Sequence, residues 1–262
     1  VCFINKLDRI GASFEKSFQS IRDRLSPHAV ALTYPIGEES AHAGVIDLLQ
    51  KKAFFFEGTN GEEMVEKEIP VHLVALAEEW RNKLIEKIAE TDETLVEKYV
   101  GGKEITTSEL KDALRKACLS VTLIPVLCGS ALKNKGVQLV LDAVIDYLPG
   151  PLDLPPVEGI DPKTQEKITR EVSDDVPFAA LAFKVANDPF SGTLTFFRVY
   201  SGTLSAGSYV LNSAKNEKER VGRIVRLHAN HREDVEEVFA GEIAAAVGLK
   251  YTVTGDTICD PE

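Results

Sequence analysis

The sequence changes its repeating pattern once, at a stretch rich in proline and glycine. Pro149-Gly150-Pro151 and Pro155-Pro156 interrupt the chain there. Before them, apolar residues recur at helical spacings, whereas past Pro177 short strand-like runs alternate with glycine turns about ten residues apart. Because helices and strands bury their apolar faces with different periods, we predict a mixed α/β part before this boundary and an all-β part after it.

Apolar spacing predicts three amphipathic helices before the boundary. The first carries Phe14, Phe18, Ile21 and Leu25 on one face and ends before Pro27. The second covers 71–89. The third has a predicted core face of Val137, Val140, Leu141, Val144, Ile145 and Leu148. We predict shorter helices near 93–99 and 108–119, strands at 1–4, 29–32, 53–56 and 121–127, and core positions for Trp80 and the phenylalanines at 54–56.

Six strand candidates follow Pro177 and predict a small antiparallel barrel or sandwich. They are 178–185, 192–200, 208–212, 219–228, 242–247 and 256–259.

The charge excludes one class of function. The formal net charge is −11, and residues 34–120, with 18 acidic and 11 basic side chains, contribute −7 of it. Binding nucleic acid over a broad face requires many positively charged side chains to neutralise phosphates. We therefore expect no DNA binding and only local contact with RNA. The acidic segment is typical of a solvated helical surface, and a surface for a basic partner is the alternative.

Composition also indicates a soluble protein of a reducing compartment. Cys2, Cys118, Cys128 and Cys259 form no C-x-x-C pair, so a cytoplasmic protein without disulfides is expected, with Cys128 as a small buried hydrophobe. No run approaches the roughly 20 apolar residues that span a bilayer. His228 and His231 lie three residues apart without a third ligand nearby, so no metal site is expected.

The first candidate binding segment is Asn5-Lys6-Leu7-Asp8, which follows an apolar strand and precedes a helix. Guanine presents two donors, N1 and the exocyclic N2, and the carboxylate of Asp8 can accept both, whereas adenine offers no such pair. Lys6 can lay its aliphatic stem over the base, and Asn5 can tie the loop to a neighbouring segment. The alternative is an ordinary helix-entry turn.

A second segment, Ser130-Ala131-Leu132, also ends an apolar strand. The backbone N–H of Ala131 can meet guanine O6, and the segment can pack against Lys6. Taken alone, Ser130 has the alternative of capping the next helix. Two loops in matching contexts favour a guanine pocket over two unrelated turns.

At these residues the chain closely resembles the elongation factor G family of translational GTPases. The resemblance covers essentially the whole chain. Its strongest stretches are CFINKLDRIG at 2–11, PVLCGSALKNKGVQ at 125–138, DPFSG at 188–192, FFRVYSGTL at 196–204, HANHR at 228–232 and AGEIAAAVGL at 240–249.

The resemblance implies a fold and a domain plan. The fold is a partial P-loop GTPase domain of α/β class with an α/β inserted subdomain, followed by an all-β translation-factor barrel. The C-terminal part of the GTPase domain would be 1–33 and 121–150, the insertion 34–120, a linker 151–175 and the barrel, domain II, 176–262.

The resemblance also implies a function and partners. Members of the family use GTP hydrolysis on the ribosome to move tRNA and mRNA. The insertion would face the acidic ribosomal stalk protein. Because the insertion is itself negatively charged, this contact would need a local basic or apolar patch. The barrel would face small-subunit rRNA. Plausible phosphate contacts are Lys215, Lys218, Arg220, Arg223, Arg226 and Arg232, and surface solubility is their alternative role.

The sequence departs from the family pattern at the phosphates. Neither a G-x-x-x-x-G-K-[ST] loop nor a D-x-x-G switch occurs in these 262 residues. We therefore expect a fragment that begins inside the GTPase domain and binds GTP or GDP weakly through guanine. It would have no Mg²⁺ site, no catalytic residue and no hydrolysis. The alternatives are a fragment of a release factor or ribosome-protection protein, or a ribosome-docking module without nucleotide.

Overall fold

The computed structural model describes residues 1–161, 164–188, 192–228 and 231–261. Two of the stretches that carry the family resemblance extend beyond this part, at 189–191 and at 229–230. The chain divides into two compact units, Val1–Pro149 and Gly150–Glu262. Among the described residues, no helix combines the length and apolarity needed to cross a membrane.

The first unit contains seven described strands and five α-helices. The strands are β1 (Cys2–Ile4), β2 (Ala29–Ala31), β3 (Thr33–Ile36), β4 (Gly44–Asp47), β5 (Lys52–Glu57), β6 (Glu63–Lys67) and β7 (Ile124–Cys128). The helices are α1 (Phe14–Arg24), α2 (Val74–Ala89), α3 (Glu93–Val100), α4 (Thr107–Leu119) and α5 (Val137–Tyr147).

A three-stranded parallel sheet in the order β1-β7-β2 carries both predicted binding segments. Strand β7 lies in the middle and is buried along most of its length, because apolar side chains emerge from both of its faces. Strand β1 ends at Ile4 and β7 at Cys128, and these two residues are register partners. The two segments that follow them therefore leave the sheet at the same edge.

A four-stranded antiparallel sheet in the order β3-β4-β5-β6 and the helices α2, α3 and α4 fill the chain between β2 and β7. Helix α4 begins at a capping box in which Thr106 and Glu109 satisfy each other's backbone N–H groups. The side chain of Asp92 caps α3 in a similar way. An aromatic cluster of Phe14, Phe18, Tyr34 and Trp80 joins α1 and α2, with ring centroids 5.1–5.8 Å apart.

Most of the predicted elements of this unit are confirmed within a few residues. The predicted helix at 71–89 begins as a 3₁₀ turn, Val71–Leu73, and continues as α2. Phe54 and Phe56 lie in the core as predicted. The prediction for Leu25 is wrong, because α1 ends at Arg24 and the Leu25 side chain is 76% exposed.

The predicted core face of α5 is also wrong. Its buried side chains are Leu139, Ala143 and Tyr147, which recur every four residues. Four of the predicted core residues are exposed instead: Leu141, Val144, Ile145 and Leu148. The helix has apolar residues on two faces, so periodicity alone does not identify the buried one.

The second unit is all-β. Its strands are β8 (Val157–Ile160), β9 (Lys167–Arg170), β10 (Ala179–Asp188), β11 (Gly192–Ser201), β12 (Leu204–Ser205), β13 (Tyr209–Asn212), β14 (Glu217–Arg220), β15 (Arg223–His228), β16 (His231–Val235), β17 (Glu237–Val238), β18 (Ile243–Val247) and β19 (Thr257–Cys259). Strands β8 and β9 form a hairpin within 151–175.

Eight of these strands form one antiparallel sheet in the order β14-β13-β19-β10-β11-β18-β15-β16. Side chains from strands on both sides of this order share one core, including Val210 of β13, Phe197 of β11 and Ile224 of β15. The sheet therefore curls around its core, which confirms the predicted all-β barrel.

One strand prediction in the barrel is wrong. The stretch 219–228 is two strands, β14 and β15, separated at Val221 and Gly222. The Gly222 N–H donates to the Val247 carbonyl at 2.9 Å, and a β-carbon at Gly222 would lie 2.9 Å from that oxygen. This close backbone approach favours glycine and marks the point at which the chain changes direction. The two-residue strands β12 and β17 and the polar strand β16 were not predicted, because they are too short or too polar to show an alternating pattern.

The assignment of the buried face of α5 predicts different costs for two leucines of the same helix. Leu139 is 7% exposed and Leu141 is 61% exposed. We expect Leu139→Ala to lower the free energy of unfolding by about 2–5 kcal/mol, because it leaves a cavity. Leu141→Ala is expected to change it by less than about 0.5 kcal/mol. Urea unfolding followed through Trp80, the single tryptophan, measures both, and equal costs would contradict the assignment.

Candidate functional site

The two predicted binding segments meet at the carboxyl ends of β1 and β7. The Leu7 N–H donates to the Gly129 carbonyl at 3.1 Å, and the Gly129 N–H donates to the Ile4 carbonyl at 3.0 Å. These bonds continue the pairing of the two strands into the loops. We call residues 5–8 the first loop and residues 130–135 the second loop.

The side chain of Asn5 joins the two loops. Its Oδ1 accepts the N–H of Lys6 at 2.7 Å and the N–H of Ala131 at 2.9 Å. The sequence predicted a tie to a neighbouring segment, and this is the tie. In this structure the Ala131 N–H, which the sequence analysis assigned to guanine O6, therefore donates to Asn5.

Lys6 has a left-handed backbone conformation, with φ of 66°. Residues with a β-carbon rarely adopt this conformation, because it costs of order 1 kcal/mol or more. Such residues cluster at binding sites. The Arg9 N–H donates to the Lys6 carbonyl at 3.1 Å, which closes the turn and holds that conformation. The Lys6 side chain is exposed, whereas the next residue, Leu7, is 2% exposed and anchors the loop in the core.

A second connection between the two loops joins the Asp8 carboxylate to the Ser130 side chain. The Ser130 side chain is fully buried. Its hydroxyl hydrogen-bonds the carboxylate and is the largest cause that holds the pKa of Asp8 below its ordinary value, with smaller contributions from the positive charges of Arg9 and Lys133. The lower pKa extends to more acidic conditions the ionised form of the carboxylate, which is the form that accepts two donors.

The second loop is closed on itself. Ser130 and Lys135 exchange two backbone hydrogen bonds, each 2.9 Å long. A β-carbon at Gly129 would lie 2.1 Å from the Lys135 carbonyl oxygen, so the loop closes this tightly only because position 129 is glycine. Leu132, at the tip, is 74% exposed.

The connection between β3 and β4, residues 37–42, contacts the second loop and Gly11, which follows the first loop. Sequence reasoning missed this support. The Glu39 carboxylate accepts the N–H of Gly11 at 2.7 Å, and the His42 carbonyl accepts a hydrogen bond of 2.5 Å from the Lys135 ammonium. The His42 ring is buried, and this burial lowers the pKa of the imidazole. The sequence carries no local signal for this contact, since it joins residues up to 93 positions apart.

Behind the second loop, Cys128 behaves as predicted. It is 1% exposed, and burial raises the pKa of its thiol to about 12. The Thr33 hydroxyl accepts the Cys128 N–H at 2.9 Å and lies 3.4 Å from the sulfur. The thiol is therefore a packing group and not a nucleophile.

Each of the six predicted phosphate-binding cations of the barrel has a local partner in the structure. Ion pairs link Lys215 to Asp256 at 3.0 Å, Arg223 to Asp234 at 3.8 Å, Arg226 to Glu242 at 2.8 Å, and Arg232 to Asp188. Arg220 donates to the Gly207 carbonyl, and the Lys218 ammonium lies over the Tyr209 ring. Contact with phosphates would therefore have to compete with these interactions.

Comparison with known families agrees with this arrangement. Residues 1–150 match the elongation factor Tu GTP binding domain, and residues 192–259 match elongation factor Tu domain 2. The chain belongs to the elongation factor Tu family of GTP-binding proteins. It is thus part of the translational GTPase group, and the predicted fold class is confirmed.

The solved structures that resemble this translational GTPase chain include the following one. It is a crystal structure of a protein from Thermus thermophilus, which aligns with a TM-score of 0.78 and 27% sequence identity. The alignment covers 99% of this chain and 36% of the Thermus chain. This chain therefore spans about a third of the length of that protein.

The Ser130 contact predicts a change in the titration of Asp8. Since hydrogen bonding to the ionised form lowers a carboxyl pKa, Ser130→Ala is expected to raise the pKa of Asp8 toward its ordinary value of 3.8. Carbon-13 NMR titration of the Asp8 carboxyl carbon measures this. Lys133→Gln, which removes a smaller contribution, is the control and should raise the pKa less. An unchanged pKa in Ser130→Ala would show that the hydroxyl does not stabilise the carboxylate.

Proposed function

We propose that this chain is the guanine-reading part, with the adjoining barrel, of a ribosomal translocation factor of the elongation factor G type. The observation that carries the proposal is the junction of the two loops through Asn5, Asp8 and Ser130. The barrel stretches at 196–204 and 240–249 support this subfamily over a release factor or a ribosome-protection protein.

The first and second loops fit guanine through complementary donors and acceptors. Asp8, held ionised, accepts from N1 and from the exocyclic amine. Lys6 covers one face of the ring with its methylene groups, and the exposed Leu132 lies at the tip of the second loop. When the base binds, the Ala131 N–H changes its acceptor from the Asn5 side chain to guanine O6. The same backbone donor is thus hydrogen-bonded both without and with the base.

GTP and GDP are the proposed ligands, and the chain's own residues bind only their base. The 262 residues include no phosphate loop or switch segment, so phosphate binding, Mg²⁺ coordination and hydrolysis would belong to other residues of a whole translocation factor. The base-binding side chains present here fit the guanine group, since the Asp8 carboxylate, whose pKa is lowered, is the acceptor that its two donors require.

The proposed partner is the ribosome. The barrel would contact small-subunit rRNA, with Lys218 the first candidate because its interaction in the structure is with an aromatic ring and not with a carboxylate. The segment 34–120 would contact the ribosomal stalk protein through a local patch, since its net charge of −7 opposes contact with an acidic partner over a broad area.

The role of Asp8 predicts a change of base preference. Asn at this position presents one acceptor and one donor, and xanthine offers a carbonyl where guanine has its amine. We expect wild-type protein to bind GDP more tightly than ADP, and Asp8→Asn to lose affinity for GDP by about tenfold to a hundredfold while gaining affinity for xanthosine diphosphate. Calorimetric or NMR titration measures these affinities.

Asp112→Asn is a control for the loss of one negative charge, because Asp112 lies on α4 and away from both loops. It should leave the preference for GDP unchanged. Equal binding of GDP and ADP by wild-type protein would reject the guanine site and favour a docking module that uses no nucleotide.

The absence of phosphate-binding motifs predicts that the chain does not hydrolyse GTP. We expect phosphate release from GTP to match the rate in buffer alone, and GDP to bind no more tightly than guanosine, because the phosphates find no loop to cradle them. A phosphate-release assay and paired titrations measure both quantities. Turnover of GTP above the buffer rate by the pure chain would contradict this expectation.

A further inference from the structure

The turn between β5 and β6 reaches the second loop from a distant part of the sequence. The carbonyl of Gly61 accepts two side-chain amides, from Asn134 at 3.2 Å and from Gln138 at 3.3 Å. These donors lie 73 and 77 positions along the chain from their acceptor. One is in the second loop, and the other is in the first turn of α5, which follows it.

The backbone of this turn touches the backbone of the second loop. Gly61 has a φ of 68°, and a β-carbon there would lie 2.5 Å from the Lys133 carbonyl oxygen and 3.4 Å from the β-carbon of Asn134. A contact below 3 Å with a backbone atom requires one of the two segments to move. The position therefore excludes any side chain for two reasons, its left-handed conformation and its closeness to the second loop.

The opposite end of the same turn provides a matched comparison. Gly58 is also left-handed, with a φ of 87°, but a β-carbon there would meet only the Glu62 side chain, at 2.7–2.9 Å. That carboxylate accepts the Asn60 N–H at 2.6 Å, but it is the end of a flexible side chain and can shift. Substitution of either glycine thus costs a similar backbone strain, and only substitution of Gly61 pushes on the second loop.

The other contacts of the second loop leave it little freedom. Lys135 is held by the carbonyl of His42, and Ala131 by Asn5. The exchange of hydrogen bonds between Ser130 and Lys135 makes the loop a closed ring of backbone. A displacement at Lys133 therefore passes to Ala131, two residues away, and to the direction of its N–H.

We propose that Gly61, at the β6 end of this turn, is a positioning residue for the guanine site: it determines where the Ala131 N–H lies and so how much guanine O6 contributes to binding. This inference rests on the proposed guanine site and deepens it. It assigns base recognition partly to a segment that contacts no nucleotide. It also places Gly61, Asn134 and Gln138 as positioning residues.

The test compares Gly61→Ala with Gly58→Ala in the full chain, with GDP and inosine diphosphate as probes. Inosine keeps O6 and lacks the exocyclic amine, so the ratio of the two affinities reports the contact of Asp8 with that amine. We expect Gly61→Ala to weaken both nucleotides by about three- to tenfold, the equivalent of one hydrogen bond. Gly58→Ala should bind both as wild-type protein does.

The ratio of GDP to inosine diphosphate affinity separates positioning from a general loss of structure. A displaced second loop weakens both nucleotides equally and keeps the wild-type ratio, whereas a collapsed pocket brings the ratio to one. Gln138→Glu, which has the same shape but replaces the amide donor, provides a second variant if Gly61→Ala does not fold. It should weaken both nucleotides in the same direction.

Three results would overturn the proposal: unchanged affinities in Gly61→Ala and Gln138→Glu, equal losses in Gly58→Ala and Gly61→Ala, or a ratio of one in Gly61→Ala. A wild-type protein that binds GDP no better than ADP would overturn the guanine site itself and this proposal with it. The two failures are distinguishable, because the first three results are defined only for a wild-type protein that prefers GDP.

Discussion

The parallel pairing of β1 with β7 determines where the candidate site lies. It brings Asn5 within hydrogen-bonding distance of Ala131, a residue 126 positions away. Backbone hydrogen bonds extend the pairing past the strand ends, and the buried hydroxyl of Ser130 then lowers the pKa of Asp8. The strand order therefore determines which loops meet, and the meeting of the loops determines which side chain lies next to the Asp8 carboxylate.

The segment between β2 and β7 supports the loops as well as separating them. The β3–β4 connection at 37–42 binds Gly11 and Lys135, and the carbonyl of Gly61 binds the side chains of Asn134 and Gln138. The proposed binding surface of two short motifs thus depends on backbone carbonyls and a carboxylate from the connections of a different sheet. Moving the second loop would therefore break hydrogen bonds to residues that lie outside the loop.

Much of the fold and the meeting of the two loops were predictable, since long amphipathic helices such as α2 and motifs at strand ends are local signals. The buried face of α5 was not, because apolar side chains occupy two faces of that helix and tertiary contacts select Leu139 over Leu141. The break at Gly222 and the supports at Gly61 and His42 depend on close approach between segments distant in sequence. Such contacts leave no periodicity.

Amide chemical-shift mapping tests most directly whether the two loops form one guanine site. Nitrogen-15 spectra of the chain are recorded during titration with GMP and, separately, with AMP. The account predicts that GMP shifts the amides of 5–8 and 130–135 together, that Ala131 moves most as its N–H leaves Asn5, and that AMP leaves both loops unchanged. Shifts in only one loop, or equal shifts with AMP, would contradict it.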